Sequence, residues 1–262
     1  MVNRATQELV REKRGAVSIL RLNRPEARNA LTPGLIVDLG AAVLEAESDA
    51  DIRVVVLTGT GDRAFCAGMD LRSFAEGEAG PVTGSEQAFA GFFRLIRGEV
   101  VVPVVGAANG TAVAGGLELL LGCDVVVAAS EARFGLPEVK RGLFAAGGGT
   151  SIGTRIPLAI ALEMALTGDL IDAARAHQIG LVNSVVAPDD VLSKAIEMAD
   201  RIAANGPLGL AATKELVRLA VTDQSLARIR QAEWQALVFN SEDAKEGARA
   251  FVEKRPPSWK GR

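Results

Sequence analysis

Two short glycine loops and two glutamates carry the chemistry that this chain can offer. Phe65-Cys66-Ala67-Gly68-Met69-Asp70 follows one apolar run, and Asn109-Gly110-Thr111-Ala112-Val113-Ala114-Gly115-Gly116-Leu117-Glu118 follows the next. Glycine lets a backbone amide approach a ligand closely because no Cβ intervenes. In the second loop the glycines run straight into LELLLGCD, so the unpartnered amides of a helix start converge where the helix dipole favours negative charge. That is an oxyanion hole in kind. Glu118 lies three residues after Gly115, hence on the same helical face, among leucines. Glu138, in FGLPEVKRG, follows twenty residues later. Two carboxyl groups in different protonation states suit general acid–base catalysis.

Other chemistries are poorly supplied. The chain has no tyrosine and one histidine, His177, so no multi-histidine metal site is expected. Two cysteines, Cys66 and Cys123, make neither a disulfide framework nor a four-thiolate cluster. Cys66 has no histidine near it in sequence to activate it, and His177 sits in the helical context AARAHQIGLVN, so both are read as packing residues. A net charge of -3 argues against a nucleic-acid partner. The first residues, MVNRATQELVREKR, lack the apolar stretch of a secretory signal, which points to the cytoplasm. Val100 to Leu117 carries no charge, but Pro103, Asn109 and four glycines break it into a strand, a loop and a helix start instead of a membrane span. Gly59-Thr60-Gly61-Asp62-Arg63-Ala64 has the form of a dinucleotide fingerprint. The residues after it, FCAGMDL, place Gly68 where the required helix would run, so no dinucleotide is expected.

These residues need a scaffold, and the 262-residue chain, 48% hydrophobic with 28 glycines, is long enough to bury one. GAVSILRL (15–22) reads as a strand, and Thr32-Pro33 starts a helix that runs to about Ser48. DIRVVVLTG (51–59), VVVPVV (100–105) and DVVVAA (124–129) read as buried strands, each followed by a loop and a helical pattern. This rhythm implies an α/β fold. After LVNSVVAP (181–188) the pattern is helical only, which divides the chain into a core, 1–188, and a helical C-terminal region, 189–262.

Taken together, LNRPEARNAL (22–31), FCAGMDL (65–71), NGTAVAGGLEL (109–119), CDVVVAASEARFGLPEVKRGL (123–143), GLVNSVV (180–186) and FVEKRPPSWKGR (251–262) resemble the crotonase superfamily of enoyl-CoA hydratases and isomerases. The resemblance implies a crotonase-like spiral of repeated ββα units, and a helical C-terminal region that assembles trimers or hexamers. It implies that the Met69 and Gly115 amides form the oxyanion hole and that Glu118 and Glu138 are the catalytic pair of a hydratase. It assigns the coenzyme A side to Glu26, Ala27 and Arg28, to Ala67, Asp70, Leu71 and Arg72, and to Lys254. Residues 72–96 and 143–147, Leu143 and Ala146 among them, would shape the acyl pocket. No metal or separate cofactor is implied, since coenzyme A is part of the substrate. One departure stands out: many hydratases carry a Pro-Gly pair after the second glutamate, and Ala146 stands here in the glycine's place. The expected activity is addition of water to a trans-2-enoyl-CoA. The alternatives are a special acyl group (carnitinyl, aromatic or steroid side chain), an isomerase, or an acyl-CoA-binding protein without turnover.

Overall fold

A computed structural model of the chain describes residues 7–70 and 84–262. β1 (Leu9–Arg14) and β2 (Val17–Leu22) form an antiparallel hairpin that turns at Gly15. β1 lies upstream of the strand expected at 15–22, and it escaped notice because LVREKR buries only Leu9. Charged side chains suit an edge strand, where they discourage pairing with another chain. β2 pairs in parallel with β3 (Val54–Gly59), and parallel pairing continues through β5 (Val104–Ala108), β7 (Val125–Ala129) and β10 (Ser184–Val186). The result is a six-stranded sheet in the order β1-β2-β3-β5-β7-β10. β3 and β5 are buried along their whole length, as parallel strands covered on both faces must be. β5 starts at Val104 and not at Val100, because Pro103 has no N–H to give to the ladder.

A second sheet holds four very short strands, β4 (Ala64–Cys66), β6 (Thr111–Val113), β8 (Arg133–Gly135) and β9 (Ile171–Asp172), in that order. The chain alternates between the sheets, so β3-β4 and β5-β6 are each followed by a helix, α2 (Glu86–Arg97) and α3 (Gly115–Gly122). This is the expected ββα repeat. Ala64–Cys66 is a strand where a dinucleotide fold would need a helix. α1 (Pro33–Ser48) begins as the sequence indicated, with Thr32 Oγ1 accepting from the Leu35 N–H at 3.0 Å and proline in the first turn. α2 crosses α1 with backbones in contact. A Cβ on Gly40 would overlap the Ala88 carbonyl and stand 2.7 Å from the Phe92 nitrogen. Arg94 forks onto Glu47 at 2.6 and 2.7 Å and locks that crossing.

α4 (Leu158–Thr167) and α5 (Ala173–Gln178) lead to four C-terminal helices, α6 (Val191–Ala203), α7 (Pro207–Thr222), α8 (Gln224–Phe239) and α9 (Glu242–Glu253). α6 contributes Val191, Ala195, Ala199 and Ala203 to the same core as the large sheet. Among the described residues no helix is long and apolar enough to cross a membrane, and Val100–Leu117 is divided among β5, β6 and the start of α3.

α7 is fastened by charge. Asp124, just before β7, accepts from Lys214 Nζ at 2.8 Å, from Arg218 Nη2 at 2.8 Å and from the Val104 N–H at 2.8 Å. Burial pulls the Lys214 ammonium down from its ordinary range, while Asp124 opposes that shift. Removing one member of a buried ion pair strands the other without compensation. Asp124→Ala is therefore expected to cost about 3–5 kcal/mol in urea unfolding, and replacing Asp124 and Lys214 together by apolar residues is expected to cost less than the single change.

Candidate active site

The site is assembled by three neighbouring strands that run in parallel. β4 pairs with β6, and β6 with β8, so all three leave the small sheet at the same end. β4 leads into Gly68-Met69, β6 into Ala114-Gly115 and the first turn of α3, and β8 into Pro137-Glu138. Clefts beyond the carboxyl ends of parallel strands are where α/β folds bind ligands.

Two backbone amides meet there. Leu31 pairs with Met69 as an isolated parallel bridge: the Leu31 N–H donates to the Gly68 carbonyl at 2.8 Å, and the Asp70 N–H donates to the Leu31 carbonyl at 2.9 Å. In a parallel ladder the bridged residue's own N–H points the other way, so the Met69 amide faces away from Leu31 and toward Gly115. Gly115 is the first residue of α3, where amides have no intrahelical acceptor. A Cβ built on Gly115 would stand 3.6 Å from the Met69 nitrogen, and one on Gly68 would stand 3.0 Å from the Gly115 nitrogen. Gly68 has φ +87, a conformation open to glycine. Ala114 holds φ 52 and ψ -129, strained for a residue with a side chain, and aims the Gly115 amide. Its N–H donates to the Gly135 carbonyl and its carbonyl accepts from the Glu118 N–H, each at 3.0 Å, which ties the strained peptide at both ends.

A cavity of about 330 Å³ opens onto these amides and is lined by both glutamates, Glu118 and Glu138. Glu118 is 7% exposed. Its Oε1 accepts from the Gly149 N–H at 2.9 Å. Burial raises its pKa, and backbone amides of Gly149 and Gly147 work against that rise. Glu138 lies half-buried in a 3-10 turn (Pro137–Arg141) that follows β8. Its Oε2 is buried without a hydrogen-bond partner. Burial raises its pKa too; the charge of Glu118 adds to the rise, and its own backbone amide and Arg141 oppose it.

The structure brings Ala67, Met69, Asp70, Gly115, Leu143 and Ala146 onto the same cavity as the glutamates. Arg28 lines a second, more polar cavity of about 730 Å³ with Arg63 and Asn109, and the two cavities share Ala67 and Val113. Glu26, Ala27 and Lys254 border neither cavity. Leu71 and Arg72 lie outside the described residues. Asp70 has a structural tie as well: Arg24 Nη1 donates to Asp70 Oδ2 at 3.1 Å and to the Ala30 carbonyl at 2.7 Å, clamping the NRPEARNAL loop to the Met69 segment. Phe89, Phe92 and Phe93 of α2, within the 72–96 range expected to shape the acyl pocket, form an apolar wall of the cavity, whereas sequence reasoning missed the amide clamp on Glu118. The spacing of the phenylalanines on one helical face was the available signal for the wall.

The remaining nucleophiles stand apart from this chemistry. Cys66 and Cys123 are fully buried, and burial pushes both thiols up to about 12. His177 Nδ1 lies 3.3 Å from the Val182 carbonyl, on α5. Among the described residues no group of three or more His, Cys, Asp or Glu could hold a metal ion.

Comparison with known proteins gives the same assignment. The family model described as enoyl-CoA hydratase/isomerase matches residues 12–262. A carnitinyl-CoA dehydratase of Proteus mirabilis is 38% identical over 263 residues, which covers 98% of this chain and 100% of the relative. The enoyl-CoA hydratase EchA19 of Mycobacterium tuberculosis is also 38% identical, over 96% of each chain. Among solved structures, an enoyl-CoA hydratase from Mycobacterium tuberculosis H37Rv superposes with a TM-score of 0.89 at 44% identity, covering 97% of this chain and 99% of that one. A carnitinyl-CoA hydratase from Mycobacterium avium superposes with a TM-score of 0.77 at 40% identity, covering 98% and 100%. The chain belongs to the enoyl-CoA hydratase/isomerase family, within the crotonase superfamily.

Proposed function

We propose that the protein hydrates the double bond of trans-2-enoyl-CoA thioesters whose acyl group is uncharged, in either direction. The observation that carries this reading is a buried and a half-buried carboxyl group of unlike environment facing one cavity beside two converging amides. The thioester oxygen sits between the Met69 and Gly115 N–H groups, which stabilise the negative charge that develops as water attacks the β-carbon. Glu118, supplied with amide donors, is suited to be the carboxylate that takes a proton from the attacking water. Glu138, with an unpartnered oxygen, is suited to hold a proton and deliver it to the α-carbon. Oxygen and one hydrogen add to the substrate from water, the second hydrogen comes from Glu138, and the proton left on Glu118 restores the pair. The two carboxyls titrate as a coupled unit.

Coenzyme A would leave this cavity past Ala67 and Val113 into the polar one, where Arg28 and Arg63 suit its phosphates. The apolar wall of Phe89, Phe92 and Phe93, with Phe144 also in the lining, suits a hydrocarbon or aromatic acyl group. A carnitinyl group is the second reading, since aromatic faces attract a trimethylammonium cation. Arg141 lines the same cavity and repels such a cation, while Asp70, Glu118 and Glu138 of the same lining attract it, so the assay below decides between the two readings. Exposed Ile229, Leu237, Phe239, Phe251 and Val252 on α8 and α9 support the expected trimer or hexamer, which would cover them.

Hydration is followed by loss of the enoyl-thioester absorbance. Glu118→Gln and Glu138→Gln are each expected to lower kcat by about 10²–10⁴-fold while acyl-CoA binding persists. At about 0.8 kcal/mol per buried methylene, kcat/KM is expected to rise about tenfold from crotonyl-CoA to hexenoyl-CoA and to be lowest for crotonobetainyl-CoA. Preference for the cationic substrate would replace the first reading by the second, and full activity in either glutamate variant would refute both.

The raised carboxyls also leave a signature in stability. A group whose folded pKa exceeds its unfolded value binds its proton more tightly when folded, so it destabilises the fold as pH rises from the unfolded value through the folded one. Glu118 and Glu138 both rise from an ordinary 4.5. Each Glu→Gln variant is therefore expected to unfold at a higher urea concentration than wild type at pH 8, with the advantage vanishing near the unfolded value of about 4.3. An advantage independent of pH would contradict the shifts.

A further inference from the structure

Arg24 is a largely buried cation, its side chain 17% exposed, that the proposed reaction leaves unused. Its Nε lies 3.0 Å from Glu8 Oε1, and its Nη1 donates to the Ala30 carbonyl at 2.7 Å and to Asp70 Oδ2 at 3.1 Å. Ala30 precedes Leu31 and Asp70 follows Met69, so the guanidinium ties together the two segments that meet in the Leu31–Met69 bridge. β4 ends at Cys66, and the bridge lies beyond it on two backbone hydrogen bonds. Glu8 also accepts from the Thr32 hydroxyl that caps α1, which anchors the tie to a helix start. The loop between is held by other means. Asn29, fully buried with φ 55, accepts from the Arg24 N–H, donates its own N–H to the Arg24 carbonyl, and donates from Nδ2 to the Thr60 and Ala64 carbonyls at 3.0 and 2.9 Å. Asn29 fixes the path of the loop, and the Arg24 side chain is left to hold the bridge.

We infer that Arg24 is a positioning residue for the oxyanion hole: it keeps Leu31 and Met69 in register, so that the Met69 amide stays aimed at the thioester oxygen. This rests on the hydratase reading for its effect on rate, and on the converging amides alone for its effect on a bound carbonyl. Arg24 is not among the residues that line the cavity, so it acts through the bridge and not by touching the substrate. Removing one oxyanion donor costs about 100–1,000-fold in kcat, and a misplacement of about 1 Å costs on the order of 100-fold. Arg24 also offsets the charge of Asp70, a carboxylate of the cavity lining that would otherwise oppose the enolate. Both effects bear on the charged transition state more than on the neutral thioester, so the loss falls on kcat and not on binding.

The test uses Arg24→Met, which removes the tie, and Arg24→Lys, whose ammonium keeps the charge but ends one bond short of Nη1. Butyryl-CoA labelled with carbon-13 at the thioester carbonyl is bound to each protein and read by infrared difference spectroscopy, where a carbonyl that accepts strong hydrogen bonds absorbs at lower frequency. In wild type the band is expected below its position in water. In Arg24→Met it is expected to move back toward that position, with kcat for hexenoyl-CoA down about 100-fold and Kd for butyryl-CoA within about threefold of wild type. Arg24→Lys is expected to lie between the two, with half that loss in free energy, about tenfold in kcat, and a melting temperature near wild type. A band at the wild-type position in Arg24→Met overturns the inference even where kcat falls, because general destabilisation lowers a rate without changing the polarisation of a bound carbonyl. A rise in Kd as large as the fall in kcat overturns it too. If Arg24→Met does not fold, Arg24→Lys decides, and an unmoved band there is the contrary result. A wild type that binds butyryl-CoA without lowering the band leaves no polarising amide to position and also overturns the inference. A wild type that lowers the band yet hydrates no enoyl-CoA sinks the hydratase reading, while the band in the variants still decides the role of Arg24.

Discussion

Parallel pairing of three short strands is the constraint on which the rest of the site depends. β4, β6 and β8 span three residues each, too few to build a core, yet their common direction obliges the chain to deliver Met69, Gly115 and Glu138 to one edge. A parallel connection needs a long crossover. The chain supplies it by passing through the large sheet between visits to the small one, which is why β3, β5 and β7, at five or six residues, are longer than the three-residue strands that follow them in the small sheet. The large sheet provides stability and the small one provides aim.

The second demand is to bury charge without orphaning it. Away from the cavity Asp124 faces two cations and an amide, and Glu47 faces a forked arginine and the Val101 amide. Inside the cavity it is met for Glu118 and left unmet at Glu138 Oε2. Buried unsatisfied polar atoms are rare enough in folded proteins to call for an explanation. Proton delivery to a substrate carbon, where no fixed partner can be allowed to compete, is the explanation that the proposed reaction supplies. The strained Ala114 belongs to the same logic, since the tied backbone holds an amide where relaxed geometry would not place it.

Elements whose signal is local were legible in the sequence. Thr32-Pro33 announced α1 by cap chemistry, and the β-branched runs announced β3 and β7 by composition. The residues after Gly61 argued against a dinucleotide helix before any geometry was at hand, and β4 runs there. Elements whose signal depends on a distant partner were not. β1 is a strand because β2 offers an edge, and LVREKR alone carries no apolar period. The division into two sheets follows from pairing, which no single segment encodes. At the site, Glu118 and Glu138 stood out by residue type and setting. The glycine run at 147–149 drew attention only for the neighbouring Ala146, because a backbone amide that donates to a carboxyl thirty residues away leaves no mark in the local sequence. Residues 72–96 were expected to shape the acyl pocket, but that Phe89, Phe92 and Phe93 are the ones that face it depends on the α1–α2 crossing at Gly40, a contact between backbones that composition does not reveal.

The division of labour between the glutamates is the centre of this account, and a substrate that cannot be hydrated isolates it. Butyryl-CoA has no double bond for water to attack, so only its α-proton can exchange, through the enolate held by the two amides and the carboxyl that serves the α-carbon. The direct measurement is incorporation of deuterium at that carbon in heavy water, followed by NMR for wild type, Glu118→Gln and Glu138→Gln. Exchange that survives Glu118→Gln and disappears in Glu138→Gln is the predicted result. Exchange that survives Glu138→Gln and disappears in Glu118→Gln would contradict the account.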